Sequence, residues 1–498
     1  MKRTVFLFIV FVLMPSVVFS ADRIEMTLGE AVELSLENNL SYAKDKYLPK
    51  ISEAGIKIAA GEFDPQFKIQ LGDSYRKELY TSIIGPQGII GTSGIFESYQ
   101  RLFEVDTSVS GKVNTGTAYE IKWSDQRVKS RASLDVLNPY HYTETSLTLS
   151  QPLLKGFGKG IQESNLNVAK NSFEISRLAL DDSASSVILD TANAYWELVS
   201  AIDEVEVAEL SLNLAKNINE ETKARIDVGV LAPVEIYKVE AEVAVREESL
   251  LKVRKIVSDS HDRLRITMGM KDWDTAIIPI EKRPSPSDMP ALDECIKDAF
   301  NLRRDYKQAN IDIKNREIMS RYYKNQGLPD FSLTGTAGRS GKGGRFSEAN
   351  DRLDDGRYYF WELGVMLSIP IGNNTAKGNY LKARYEEEQA GLNLRLIEQK
   401  IQLEVREVWR TVQLNMESIT ATNKTRIAAG KRLEAEEGRF KVGMATLNDV
   451  LKFQEEYTKA LSSEKRAYIN YAKSVVFLEK IKGTLWQNGK TIKGLIIE

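Results

Sequence analysis

The sequence contains two copies of one pattern, and this internal duplication limits the folds open to the chain. Shifting the sequence by 264 positions aligns Leu28, Glu30, Tyr42, Pro65 and Phe67 with Leu292, Glu294, Tyr306, Pro329 and Phe331. A second ungapped match, at an offset of 214, aligns residues 229–236 with residues 443–450. We therefore expect one structural unit built twice, over residues 21–283 and 284–498.

The N-terminus has the features of a secretory signal peptide. Lys2 and Arg3 precede an apolar run from Val5 to Phe19, and Ser20 is a small residue before a predicted cleavage site at Ala21. Residues 1–20 are therefore predicted to be the signal. The alternative is an uncleaved membrane anchor, which needs about 20 apolar residues.

Composition narrows the possible functions. The formal net charge of −2 gives no reason to expect a nucleic-acid partner. Cys295 is the single cysteine and aligns with Ala31, which favours a small core residue over a reactive thiol. His141 and His261 are the only histidines, so no metal cluster, cofactor or catalytic site is predicted, and we do not expect an enzyme.

Two very long helical hairpins are predicted. A helical first segment runs from Thr27 to about Gly61, with a Thr27–Glu30 capping box and a break at Pro49. Proline-free spans then cover 163–227 and 376–440, and in the second the apolar residues are spaced by three and four. Each span is followed by a further helix after a glycine. Their tips are predicted at Gly229–Val234 and Gly443–Asn448, because glycine supplies the left-handed residue at which a helix ends.

Apolar and polar residues alternate with a period of two in several short segments, which is typical of strands. These segments are 67–71, 103–109, 119–123, 146–150, 331–333 and 361–367. A turn is predicted at 114–116, and loops are predicted at 80–100 and 338–356 because both are rich in glycine. In an exported chain such strands favour a membrane β-barrel shared by several copies, since one copy has too few strands to close it. The alternative is a soluble β-sandwich beside a coiled coil.

Three stretches carry a resemblance to a known family. They are Thr27–Asn39 (TLGEAVELSLENN), Leu149–Gly158 (LSQPLLKGFG) and the paired tips GVLAPVEI, from Gly229, and GMATLNDV, from Gly443. In their order, spacing and duplication the chain resembles the TolC-like outer-membrane efflux family. The resemblance implies an α+β membrane protein: a homotrimer whose strands form an outer-membrane β-barrel, continued by a long periplasmic α-helical coiled-coil barrel.

The same resemblance implies partners and site residues at the tips. The partners are a periplasmic adaptor, an inner-membrane pump of the RND or ABC type, and outer-membrane lipid. The tip residues that would meet the adaptor are Gly229, Val230, Leu231, Ala232, Pro233, Gly443, Met444, Ala445, Thr446 and Leu447. The positions that would form the aperture are Asp449 and Lys452, with Glu235 and Lys238 as their equivalents in the first half.

The chain departs from the family pattern in two places. Lys452 replaces an acidic residue, so Asp449 and Lys452 form either an aperture ring or an i, i+3 ion pair, and the same charge pair is expected at Glu235 and Lys238. The first half also has about four candidate strands where the family has two. We expect twelve barrel strands in a trimer, with 103–123 as an additional hairpin, and eighteen as the alternative.

The sequence predicts a passive exit duct of a tripartite efflux or type I secretion system, located in the outer membrane and extending into the periplasm. The main alternative is a non-conducting scaffold that spans the envelope. The residues do not reveal the cargo.

Overall fold

The computed structural model describes residues 23–84, 90–130, 137–281, 286, 288–487 and 490–491. The predicted signal peptide, 1–20, lies outside the described residues. The α-helices are α1 (Leu28–Asn38), α2 (Leu40–Asp45), α3 (Tyr47–Ala60), α4 (Lys159–Gln162), α5 (Ser164–Asp227), α6 (Glu235–Met268), α7 (Leu292–Leu302), α8 (Arg304–Gln326), α9 (Phe346–Asp354), α10 (Asn374–Lys441) and α11 (Leu447–Lys482), with a 3-10 turn at Gly61–Phe63. The strands are β1 (Arg23–Met26), β2 (Gln66–Ile84), β3 (Ile90–Lys112), β4 (Ala118–Ser130), β5 (Tyr140–Pro152), β6 (Ala276–Pro279), β7 (Asp330–Gly343), β8 (Tyr359–Ser368), β9 (Trp486–Gln487) and β10 (Lys490–Thr491).

The chain divides into two compact units, each assembled from segments that are separate in the sequence. The first unit comprises residues up to Lys46, Leu180–Arg304 and residues from Gln399 onwards. The second comprises Tyr47–Ala179 and Asp305–Glu398. Each unit draws on both halves of the sequence. None of the helices in the described ranges combines the length and the apolar character that a membrane-spanning helix requires.

The long helices agree with the sequence pattern. Helices α5 and α10 contain 64 and 68 residues, and α6 and α11 contain 34 and 36. The capping box at Thr27 is confirmed, because its hydroxyl accepts from the backbone N–H of Glu30 while the Glu30 carboxylate accepts from that of Thr27. The predicted break at Pro49 is wrong. Pro49 lies in the first turn of α3, where no backbone donor is needed, and the breaks lie at Asn39 and Lys46.

The core of the first unit surrounds two adjacent aromatic residues of α5. Tyr195 and Trp196 are fully buried and pack edge to face at 5.7 Å between ring centroids. The Tyr195 hydroxyl donates to the Met26 carbonyl at 3.0 Å, and burial raises the pKa of Tyr195 to about 12. Strands β1 and β6 pair in parallel beside this core. Cys295 is buried, as expected for a core residue, and its burial raises the pKa of the thiol.

The second unit contains one antiparallel sheet of six strands, in the order β2-β3-β4-β5-β7-β8. The expectation of four barrel strands per chain is therefore wrong. The additional hairpin predicted near 103–123 is present as β3 and β4, joined by a turn at Gly116 (φ 96°), and it is a full member of the sheet. Strand β3 also pairs with β2, and β4 also pairs with β5, so both strands of the hairpin form ladder hydrogen bonds along both of their edges.

Both predicted glycine-rich loops contain regular structure. In 80–100, β2 continues to Ile84 and β3 starts at Ile90, because the two strands pair with each other along this stretch. In 338–356, β7 continues to Gly343 and α9 follows. A Cβ at Gly341 would collide with the backbone of Ala349, so these glycines allow α9 to pack directly on the strand.

Candidate functional site

The two hairpin tips end their first helix in the same way. Helix α5 ends at Asp227 and α10 at Lys441, and the glycines that follow, Gly229 and Gly443, have left-handed backbones with φ of 77° and 78°. These values are readily adopted by glycine and strained for other residues. The chain reverses within a few residues, and α6 and α11 begin. Both reversals occur at the glycines where the sequence places the tips, and α11 begins at Leu447, inside the range expected for the second tip.

A small apolar cluster joins the tips inside the first unit. Its buried members come from all four long helices and are Ile218, Val239, Phe440, Leu447 and Val450, with Leu231 and Ala445 partly buried against them. Burial of these apolar side chains therefore helps to hold the two hairpins together at this end.

One arginine links the ends of α5 and α10. The Arg225 guanidinium donates to the Phe440 carbonyl at 3.0 Å and lies 4.3 Å from the centre of the Phe440 ring. Glu221 accepts from the same guanidinium at 2.7 Å. Arg225 was not among the site residues predicted from the sequence. The offset of 214 could have found it, because it aligns Arg225 with Arg439, four residues before each tip glycine.

At the second tip, Asp449 belongs to a capping box. Its carboxylate accepts from the Thr446 hydroxyl at 2.6 Å and from the Thr446 backbone N–H at 3.1 Å. The Thr446 hydroxyl in turn accepts from the Asp449 backbone N–H at 3.2 Å. These hydrogen bonds lower the pKa of Asp449. Within the described ranges, no cation lies within ion-pair distance of this carboxylate.

The first tip uses its acidic residue differently. Lys238 donates to both carboxylate oxygens of Glu235 at 3.0 Å. The expectation that one charge pair is repeated at both tips is wrong. Ala232 occupies the position equivalent to Thr446 and has no hydroxyl, so Glu235 has no capping partner and pairs with Lys238. In the second half, capping occupies Asp449 and leaves Lys452 without a carboxylate partner among the described residues.

Most of the predicted adaptor-contact residues are exposed. Gly229, Val230, Ala232, Pro233, Gly443, Met444 and Thr446 are exposed, whereas Leu231 and Ala445 are half-buried. Leu447 is 5% exposed and belongs to the apolar cluster, so it offers no surface to a partner. The exposed side chains include two large apolar ones, Val230 and Met444, at 66% and 71%. In the part of the chain that the structure describes, no three His, Cys, Asp or Glu side chains are grouped to hold a metal ion.

The six-stranded sheet has one apolar face that the chain covers only in part, where α9 packs. Paired residues of neighbouring strands share a face, and odd-numbered positions share one face throughout the sheet. Exposed apolar side chains on it include Phe67, Ile69, Leu71, Ile121, Leu147, Leu149, Trp361, Leu363, Val365 and Leu367. We call this the odd face. Exposed apolar area of this extent marks an interaction surface.

The opposite, even face is mostly polar. It carries Lys68 and Gln70 on β2, and Thr148 and Thr336 on β5 and β7, whose hydroxyls lie 3.1 Å apart. A sheet with one apolar and one polar face matches the wall of a membrane barrel, in which lipid-facing and lumen-facing residues alternate.

The sequence matches the family model described as "Outer membrane efflux protein" over residues 112–270 and 295–484. The chain belongs to this family. The TolC-like resemblance predicted from the tips and strand ends is thereby confirmed. The membership places the chain in the outer membrane, with an extension into the periplasm, which confirms the predicted location.

Similar proteins include the outer membrane protein TolC of Salmonella enteritidis, 25% identical over 62% of this chain and 62% of that protein. The match thus spans less than two thirds of that relative's length. TolC of Escherichia coli (strain K12) is 23% identical over 66% of this chain and 71% of its own length. The fold is similar to that of the Campylobacter jejuni CmeC outer membrane channel, with a TM-score of 0.64 and 17% identity over 93% of this chain and 87% of the other. The α+β class is confirmed for this family member, which is mostly helical with one large sheet.

Proposed function

We propose that this family member is an outer-membrane efflux channel in which three copies complete one β-barrel. The observation that carries the proposal is the six-stranded sheet with a polar face and an apolar face that the chain covers only in part. Its two outer strands, β2 and β8, each have one edge with no partner within the described chain. Unpaired strand edges cannot remain in lipid, so the sheet must close with other copies. Three copies of six strands give an eighteen-stranded barrel, the alternative to the twelve strands expected from the sequence.

The long helices supply the periplasmic part of the duct. Helices α5, α6, α10 and α11 from three copies would form the wall of a helical barrel, narrowed at the tips. Asp449 and Lys452, with Glu235 and Lys238, are the proposed aperture residues. The exposed tip residues, such as Val230 and Met444, would receive a periplasmic adaptor that links the channel to an inner-membrane pump of the RND or ABC type. Conduction through the duct is passive, and the pump supplies the energy.

Planar-bilayer recording tests the conduction. Purified protein is expected to give small, infrequent openings because the tips are held by the apolar cluster and by Arg225. Arg225→Met removes the hydrogen bond to the Phe440 carbonyl, worth about 1.5–3 kcal/mol for a charged donor, and should raise the open fraction at least severalfold. Arg254→Met is the control, because Arg254 makes an exposed ion pair with Glu209. A protein that never conducts, even as Arg225→Met, would favour the non-conducting scaffold.

Site-specific photo-crosslinking tests the adaptor contact. A photoreactive residue at Met444 should crosslink to the periplasmic adaptor co-expressed with its pump. The same residue at Leu251, which is 67% exposed on α6 away from the tip, should not. Equal crosslinking from both positions would contradict a tip contact.

A further inference from the structure

The two outer strands of the sheet, β8 and β2, resemble in sequence two strands that pair with each other inside the sheet, β5 and β7. The last residues of β8 and the two that follow it, Leu367-Ser-Ile-Pro370, match the end of β5, Leu149-Ser-Gln-Pro152, at an offset of 218. The start of β2, Pro65 with Phe67 and Ile69, matches the start of β7 at an offset of 264. Strands β5 and β7 are neighbours in the sheet, whereas β8 and β2 are its two ends.

The β5–β7 junction has a definite register. Gln151 lies opposite Leu333, Leu149 opposite Gly335, and Leu147 opposite Ala337. Beyond the strand, the Leu153 backbone N–H donates to the Phe331 carbonyl at 2.7 Å. The residues that form this junction in β5 and β7 therefore have sequence equivalents in β8 and β2, whose outer edges have no partner in the described chain.

We propose that β8 of one copy pairs with β2 of the next copy in the register of the β5–β7 junction. Applying the two offsets places Ile369 opposite Ile69 of the neighbouring copy, Leu367 opposite its Leu71, and Gly364 opposite its Ser74. The partner is thus a second copy of this chain, and its contact surface is the edge of β2. This inference rests on the proposed closed barrel and adds the residue pairs that close it.

The faces of the sheet agree with this register. It pairs odd residues with odd residues, so Leu367 and Leu71 extend the apolar odd face across the junction without a step. A shift by one residue would place the apolar set of one copy on the polar side of the next. The junction also covers the region of Ile369 and Ile371, which are 62% and 103% exposed in the single chain.

A pair of opposite charges independently supports the proposed register. The register places Glu362 of β8 opposite Arg76 of the neighbouring copy, both on the polar even face. Within the described residues, Glu362 has no cation at ion-pair distance. Arg76 is 75% exposed and 3.3 Å from Glu78 of its own strand, so it is available to a second carboxylate. Opposite charges directly across a strand pair stabilise that pairing over others.

Disulfide trapping tests the register in the full-length trimer. The background is Cys295→Ala, since alanine stands at the equivalent position 31. Gly364→Cys combined with Ser74→Cys places two thiols directly opposite, at about 4.5–5.5 Å between Cα atoms. A Cβ at Gly364 meets no atom within 4 Å, so the substitution fits. Mild oxidation should convert most of the protein into covalent trimers on a non-reducing gel.

The matched control is Gly364→Cys combined with Gln70→Cys, four residues along the same strand and face. Its Cα atoms would lie about 14 Å apart, beyond the 7 Å limit for a disulfide. We expect at least tenfold less crosslinking. A control pair that crosslinks as well as the Ser74 pair, or better, would overturn the register.

Charge reversal gives a second readout. Glu362→Lys and Arg76→Glu should each lower the temperature at which the trimer dissociates in detergent, and the double variant should recover most of the loss. Glu120→Lys, on the same face but inside the sheet, is the control and should leave it unchanged. No recovery in the double variant would contradict the pairing.

A wild-type protein that is monomeric by native mass spectrometry would refute the barrel itself, whereas a trimer crosslinked at another spacing would refute the register alone.

Discussion

At the residue scale, one hydroxyl group decides what the acidic residue of each tip does. Thr446 captures Asp449 in a capping box, and Ala232, at the equivalent place, leaves Glu235 to pair with Lys238. The two tips therefore differ chemically although their sequences align without a gap. In a trimer this gives three capped carboxylates and three ion pairs around the proposed aperture, and three Lys452 ammonium groups with no carboxylate partner among the described residues.

The capping box predicts a specific dependence on pH. The ionised carboxylate of Asp449 accepts the hydrogen bonds, so its pKa in the folded chain lies below the ordinary value of 3.8. Its stabilising effect is complete above that value and is lost as the pH falls through the lowered pKa. Hydrogen exchange at the start of α11, corrected for intrinsic rates, should therefore show protection down to about pH 4 and loss of protection below it.

Substitution of Thr446 separates this effect from general acid unfolding. Thr446→Val removes the hydroxyl and should abolish the protection at neutral pH as well, whereas Thr446→Ser should retain it. Wild-type protection in Thr446→Val would show that the box does not hold the start of α11.

At the element scale, the helix between β7 and β8 depends on glycine. Helix α9 buries Ala349 and Leu353 against the sheet, and its Phe346 ring lies edge-on to Trp123 at 6.3 Å between centroids. Trp123 and Gly341 both lie on the odd face, so α9 covers part of the sheet's apolar side and leaves the polar side open. A loop folded in this direction does not obstruct the lumen of the proposed barrel.

Gly341→Ala should release this helix. The new Cβ would collide with the Ala349 carbonyl oxygen, so α9 must move away from the strand. Trypsin cleavage after Arg352 should become at least tenfold faster in the folded protein. Gly364→Ala is the control, because a Cβ there has open space. Unchanged cleavage in Gly341→Ala would mean that α9 does not depend on this contact.

At the scale of the whole molecule, the assignment of the odd face to lipid can be tested with neighbouring residues. Ile121→Lys places a charge on the odd face near the start of β4, where the loss of stability should be clear but smaller than the loss of about 2–4 kcal/mol expected at the membrane centre. Folding into lipid vesicles, followed by urea titration, measures this loss. Glu120→Lys, one residue earlier and on the even face, should be nearly neutral. The reverse order of the two effects would show that the odd face lines the lumen.

Local chemistry explains what the sequence predicted correctly. The Thr27 capping box, the proline-free spans of α5 and α10, and the tip glycines each depend on neighbouring residues, so a single sequence reveals them. The family resemblance relied on the same kind of short pattern. These features determined the helical hairpins, the alternating strands and the location in the envelope.

Long-range pairing decided the remainder. The segment 90–100 contains two glycines and several polar residues. It becomes a strand because it and the segment 80–84 supply each other's ladder hydrogen bonds. The six-stranded order, the docking of α9 on Gly341 and the link from Arg225 to Phe440 all join residues distant in sequence. The free energy of such contacts comes from groups that meet only in the folded chain, and only the tertiary structure could therefore identify them.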